Sequence, residues 1–291
     1  MKKPLYIVDV FAEKKFSGNP LAVVCDAEDL SPKQMQLIAK EMNYSETTFI
    51  KKIHDDRQNI DVRIFTPSHE IPFAGHPLIG TAFIIQQEII QQDIPKISFQ
   101  LEIGPIDMTL SNDNIIWLKP IKPFLGAKIP SNILAKVLQI PSGDINHAWP
   151  IQEVNMGLHV IIVPLNDCSA VEKVNIKLEQ YYTLIKQTKS KAILVFSTET
   201  LFEENDLHVR VFADYYGIPE DPATGSANAG LAAYIAQYQC FNDTKEILRV
   251  EQGYELNRPS LLYIQSKKSD GVLDIQIGGE VQLIAKGELY L

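Results

Sequence analysis

Three ionisable side chains stand where this sequence can do chemistry: Glu46, His76 and Asp221. Glu46 sits in Ser45-Glu46-Thr47, between an amphipathic stretch and a strand-like run, among apolar or neutral neighbours. Desolvation disfavours the charged form of a carboxylate beside an apolar cleft and raises its pKa toward the range useful for proton transfer. His76 and Asp221 stand at the mouths of two matching segments. A neutral imidazole can hold a hydroxyl or amine or relay a proton, and an aspartate can bind an amino group. His54, His69, His147, His159 and His208 are scattered and read as surface or packing residues.

The matching segments are VRIFTPSHEIPFAGHPLIGTA (62–82) and VRVFADYYGIPEDPATGSA (209–227). Each opens on Val-Arg-x-Phe, passes through Ile-Pro and enters a Gly/Ala-rich stretch. One register pairs His76 with Asp221 and Gly80 with Gly225. Another pairs Gly75 with Gly225 and Gly80 with Gly230. Both make the chain two copies of one unit, far longer than a solenoid repeat.

What positions these residues follows from helix physics. Pro77–Gln86 and Ala223–Tyr234 are apolar on nearly every side, and a helix apolar all round is buried. Pro77 and Pro222 suit a first helical turn, and Gly75 and Gly225 allow close approach. The free N–H groups of Gly75, Gly225 and Ser226 would then face an interior pocket and favour a carboxylate. Around each buried helix, alternating runs predict strands at Tyr6–Phe11, Leu21–Cys25, Thr48–Ile53, Asp61–Phe65 and Ile97–Leu101. In the second half they recur at His159–Val163, Ala192–Phe196, Val209–Phe212, Ile247–Glu251 and Leu261–Gln265. Ser31-Pro32 starts an amphipathic helix with Met35, Ile38, Ala39 and Met42 on one face. The expected fold class is α+β: two pseudo-symmetric barrel-like units, each a curved, mostly antiparallel sheet around a buried helix. The units span residues 1–120 and 121–291, with the last strand free to cross back to the first. The proline-rich segment Lys119–Pro130 reads as the linker.

The chain has 291 residues, a net charge of -9 and mixed acidic and basic residues, which argues against a nucleic-acid partner. No apolar run approaches the roughly 20 residues of a membrane span. Cys25, Cys168 and Cys240 are odd in number and far apart, which fits a reducing cytoplasm. Metal and nucleotide motifs are absent.

GNPLAVV (18–24), EMNYSETTFI (41–50), RIFTPSHEIPFAGHPLIGTA (63–82), GIPEDPATGSANAGLAAY (217–234) and EQGYELNRPSLLYI (251–264) resemble the PhzF-like (phenazine biosynthesis) isomerase family. Asn257 stands where that family usually has Gly. The resemblance implies a diaminopimelate-epimerase-like fold, a homodimer and no cofactor; the absence of metal motifs gives no metal site. It makes Glu46 the general acid/base that moves a proton between two carbons of a dihydro-aromatic acid. It adds Asn19 and Ser45 as substrate contacts, although Asn19 alone is only a turn residue before proline. Related epimerases use two opposed cysteines, and none stands in these motifs. Two rival readings are a racemase with non-cysteine bases and a non-catalytic binding module of the same fold.

Overall fold

A computed structural model describes residues 1–111, 113–120, 123–241, 246–269 and 272–291. The chain divides into two compact units, Met1–Lys119 with Gly278–Leu291, and Pro120–Ile277. Ile121 and Lys122 of the expected linker lie outside the described residues.

The first unit contains β1 (Lys2–Val10), β2 (Asn19–Val24), α1 (Pro32–Met42), β3 (Glu46–Ile53), β4 (Asn59–Phe65), β5 (Glu70–Ile71), α2 (Gly75–Ile84), β6 (Lys96–Leu101), β7 (Gly104–Leu110) and β8 (Ile116–Leu118). A π-helical stretch, Ile85–Ile90, continues α2. The second contains β9 (Phe124–Lys128), α3 (Ser131–Leu138), β10 (Gln152–Asn155), β11 (His159–Pro164), α4 (Cys168–Glu172), α5 (Leu178–Ile185), β12 (Ala192–Ser197), β13 (Leu207–Ala213), β14 (Ile218–Asp221), α6 (Gly225–Tyr238), β15 (Ile247–Gln252) and β16 (Ser260–Ser269). β17 (Val272–Gly279) leads out of it, and β18 (Val281–Tyr290) pairs antiparallel with β1.

The pairings repeat strand for strand. In the first unit β1–β2 is antiparallel, β2–β3 parallel, β3–β4 and β4–β5 antiparallel, β4–β6 parallel and β6–β7 antiparallel. In the second, β10–β11, β11–β12, β12–β13, β13–β14, β13–β15 and β15–β16 follow the same sequence of directions. β18 borders β1 as β9 borders β10. Each sheet is mostly antiparallel and curves around one helix: α2 packs on β1, β2, β3 and β8, and α6 on β10, β11 and β16.

Both central helices are apolar all round because sheet surrounds them. Every α2 residue but Phe83 is buried, and α6 is buried continuously from Ala227 to Ile235. Outside the first sheet, α1 closes a smaller core of Met35, Ile38, Ala39, Phe49 and Phe65. Its start is a capping box in which Gln34 N donates to Ser31 Oγ and Ser31 N donates to Gln34 Oε1, worth about 1 kcal/mol. Asn43, in the left-handed region, ends it. The second unit carries three outer helices rather than one, and α3 and α5 cover a core with Leu134, Leu138, Tyr181, Ile193 and Phe212. Part of the expected linker is strand β9, bonded to β10. Among the described residues no helix is long and apolar enough to cross a membrane.

The structure selects the repeat register. α2 starts at Gly75 after Ala74, and α6 starts at Gly225 after Thr224. Gly80 faces Val8, Val10 and Leu21 on the first strand pair, and Gly230 faces Val154 and Val160 on the corresponding pair. Gly75 therefore corresponds to Gly225 and Gly80 to Gly230. His76 corresponds to Ser226, not to Asp221. Asp221 opposes Val211 as Ile71 opposes Ile64, so its counterpart is Ile71. Pro222 lies before α6 rather than in its first turn, whereas Pro77 is the third residue of α2.

The two helix glycines predict unequal tolerance. A Cβ at Gly80 would stand 2.6 Å from Leu21 Cδ2 and 2.8 Å from Val10 Cγ2, and one at Gly230 3.2 Å from Val160 Cγ1. Gly80→Ala is expected to lose about 1–3 kcal/mol to overpacking. Gly230→Ala is expected to be near neutral, because alanine regains about 1 kcal/mol of helix propensity. Urea unfolding of both variants checks this order, and equal midpoints would refute it.

Candidate active site

Strand alternation aims Glu46 at the central helix. Side chains two apart on a strand share a face, and Thr48 Oγ1 lies 2.8 Å from Thr81 Oγ1 on α2. Thr81 donates to Pro77 O at 2.7 Å, so Thr48 is the donor between the two hydroxyls. Glu46, two residues before Thr48, reaches one helical turn toward the start of α2. There its Oε2 stands 3.3 Å from His76 Nε2, a close approach outside hydrogen-bond alignment. The Glu46 side chain is 13% exposed and that of His76 6%. Burial drives the His76 pKa down to about 3, so the ring is neutral at physiological pH. A neutral imidazole keeps one donor and one acceptor nitrogen beside the carboxylate.

Asn19 is fully buried as the first residue of β2, Ser45 is half-buried before β3, and Gly75 is buried as the first residue of α2. The first unit thus brings Glu46 and His76 together. An open groove of about 810 Å³ in the same unit, lined by Lys15, Gln86, Asn114 and Gln282, includes neither.

In the second unit Asp221 ends β14 and is 6% exposed. Thr224 Oγ1 donates to Asp221 Oδ2 at 2.5 Å. Gln252 Nε2 donates to Asp221 O at 2.7 Å and to Thr224 Oγ1 at 3.3 Å. Gln252 Oε1 accepts from Asn228 Nδ2 at 2.8 Å and from Thr224 N at 3.3 Å. Gly225 is buried and Ser226 half-buried in the first turn of α6. Asn228 and Gln252 were not singled out in the sequence. Strand phase was the available signal for Gln252, which follows buried Leu248 and Val250 on the core face of β15.

Of the histidines read as surface or packing residues, His208 is buried and forms part of an ion cluster. It is 1% exposed, with Nδ1 3.0 Å from Glu251 Oε1 and Nε2 2.9 Å from Glu255 Oε1. Burial opposes its charge, but the two carboxylates outweigh burial and raise its pKa to about 9. Glu251 also accepts from Leu201 N and Asn205 Nδ2. Cys168 Sγ, a ring nitrogen of His208 and a carboxylate oxygen of Glu251 lie within 4.8 Å of one another. The charged ring offers a metal no lone pair. The Cys168 thiol, pushed up to about 11 by burial, donates to Glu199 O at 3.0 Å. The group is an ion cluster facing away from α6, because His208 alternates with Val209 and Val211. Burial likewise pushes Cys25 and Cys240 up to about 12, and none of the three thiols lies on α2 or α6.

The chain matches the family model described as phenazine biosynthesis-like protein over residues 8–287. It is 30% identical to the trans-2,3-dihydro-3-hydroxyanthranilate isomerase of Pseudomonas aeruginosa, covering 98% of each chain. A crystal structure of a PhzF-family phenazine biosynthesis protein from Bacillus anthracis superposes with a TM-score of 0.90, at 25% identity and full coverage of both chains. A probable proline racemase from Agrobacterium radiobacter shares the fold alone, with a TM-score of 0.65, 10% identity, and 99% and 93% of the two chains covered.

Proposed function

The chain belongs to the PhzC-PhzF, phenazine biosynthesis-like family and is an isomerase, and from that premise we propose that it moves a proton between two carbons of a small unsaturated carboxylic acid. Glu46 is the single acid/base. Its carboxylate takes a proton from one carbon, the electron pair delocalises through the adjacent double bond, and the same group returns a proton to a second carbon. No electrons are gained or lost. Neutral His76 holds Glu46 in position or hands its proton on. Asp221 binds an amino or hydroxyl donor on the substrate. The N–H groups of Gly75, Gly225 and Ser226 suit its carboxylate, with Asn19 and Ser45 as further contacts. No cofactor is needed for such a shift.

The observation that carries this reading is one-sidedness. Racemisation by two bases needs a proton-transfer group at corresponding places in both units. The counterpart of His76 is Ser226. Gly80 on Leu21 matches Gly230 on Val160, and Glu46 opposes Leu21 as Ala192 opposes Val160. The counterpart of Glu46 is thus an alanine. One base serving two carbons fits this arrangement, and two opposed bases do not. Trans-2,3-dihydro-3-hydroxyanthranilate, the compound named for the Pseudomonas relative, is the first substrate to assay, in deuterium oxide. The expected result is an isomer carrying one deuterium at the new position. Exchange at the α-carbon of free amino acids, with no such isomerisation, would favour a racemase instead. As a partner we propose a second copy of the chain, checked by light scattering.

A further inference from the structure

The second unit carries polar side chains at four places where its twin is apolar. Asp221, Thr224, Asn228 and Gln252 correspond to Ile71, Ala74, Leu78 and Leu101. Strand pairing fixes the first match, as above. Thr224 and Ala74 are the two N-caps, and Asn228 and Leu78 are each the fourth residue of their helix. Gln252 opposes Val209 on β13. Gln100 opposes Asp61, which places Leu101 beside Val62, the residue matching Val209. Asn228 and Gln252 are fully buried. Buried polar groups are tolerated only when bonded, and apolar replacement of such groups is often neutral or stabilising. The first unit shows that this fold accepts the apolar solution, so stability alone does not account for the polar one.

The hydrogen bonds run in one direction. The Gln252 amide nitrogen donates to Thr224 Oγ1, and the Thr224 hydroxyl donates to Asp221 Oδ2. The same nitrogen holds the Asp221 carbonyl, and the amide oxygen holds Thr224 N and Asn228. Gly253, the next residue, packs closely against the backbone of Pro222 and Arg258. Its φ is +80°, and a Cβ there would stand 2.6 Å from Pro222 O and 2.4 Å from Arg258 O.

We propose that Gln252 is a specificity-determining positioning residue: its amide orients Thr224 and holds Asp221 as an acceptor, so that Asp221 reads an N–H or O–H donor beside the substrate's carboxylate. This rests on the proposed role of Asp221 in substrate binding. Gln252 touches no substrate and acts through Asp221.

Two probes differing only in the donor test it: 2-aminobenzoate and benzoate, with binding measured by calorimetry. The wild-type protein is expected to prefer 2-aminobenzoate by about tenfold, the size of one net hydrogen bond. Gln252→Met keeps the shape and removes the amide. It should abolish that preference while leaving benzoate affinity unchanged, which a general packing defect would not do. In an Asp221→Asn background, Gln252→Met should change nothing further. If Gln252→Met keeps the preference and Asp221→Asn loses it, the inference is overturned and the role of Asp221 stands. If the wild type shows no preference, or Asp221→Asn retains it, the role of Asp221 falls and the inference with it.

Discussion

Glu46→Gln is expected to lower kcat by about 10²–10⁴-fold, the range typical of a lost general acid/base, with KM for a carboxylate substrate within about threefold of wild type. The amide keeps the shape of the side chain beside His76 and cannot cycle a proton. Because Glu46 is largely buried and close to the ring, the fold should hold, and the unfolding midpoint of the variant serves as the control. His76→Asn should lower kcat less, since a neutral ring that positions or relays is not the proton's destination. Glu46→Gln turnover within tenfold of wild type, with an unchanged midpoint, would remove Glu46 from the chemistry.

The second large effect is on stability and lies elsewhere in the chain. His208→Ala would leave the buried Glu251 and the partly buried Glu255 without their shared cation. Breaking one side of a buried pair costs about 3–5 kcal/mol. The pH dependence has a defined sign. The folded-state pKa of His208 is raised from 6.5 to about 9, so its contribution is complete below 6.5 and is lost as pH rises through 9. Burial raises the pKa of Glu251 and of Glu255, but the bonds to His208 and other partners outweigh it and leave both below 4.5. Their contributions are complete above 4.5 and are lost in acid. The contribution of this cluster to stability should therefore be greatest between about pH 4.5 and 6.5. The penalty of His208→Ala, measured by urea unfolding, should shrink between pH 6 and pH 9.5. A penalty equal at both pH values would refute the ion-cluster account.

The sequence made the central helices and most strands legible, because a helix apolar all round and a strand alternating in period two each have one packed solution. Ser31-Pro32 and Asn43 bounded α1 through local capping chemistry that needs no tertiary information. What escaped depended on long-range partners. β9 has only Phe124 and Leu125 before a glycine, and only its pairing with β10 makes it a strand. β5 and β14 are too short to show a period. His208 looked ordinary because Glu251 and Glu255 reach it through sheet pairing and a following turn. Glu46 and His76 were legible by type and by resemblance, but their approach needed the phase of β3 against α2. The register of the repeat stayed open because His-Pro and Asp-Pro align well in sequence, whereas helix starts and glycine contacts obey the other alignment.

The pairing of β18 with β1 sets an order on the chain as it leaves the ribosome. Strand β9 is synthesised just before β10, so the second unit receives its border strand in time. The first unit emerges first, yet β18 arrives only after every residue of the second unit. Domains usually fold in the order of their synthesis, but here the earlier half must keep one edge of β1 unsealed while the later half folds. An exposed strand edge invites pairing with other chains. On the nascent chain, aggregation and chaperone contact should therefore concentrate at β1, and release of the last strand should end that exposure.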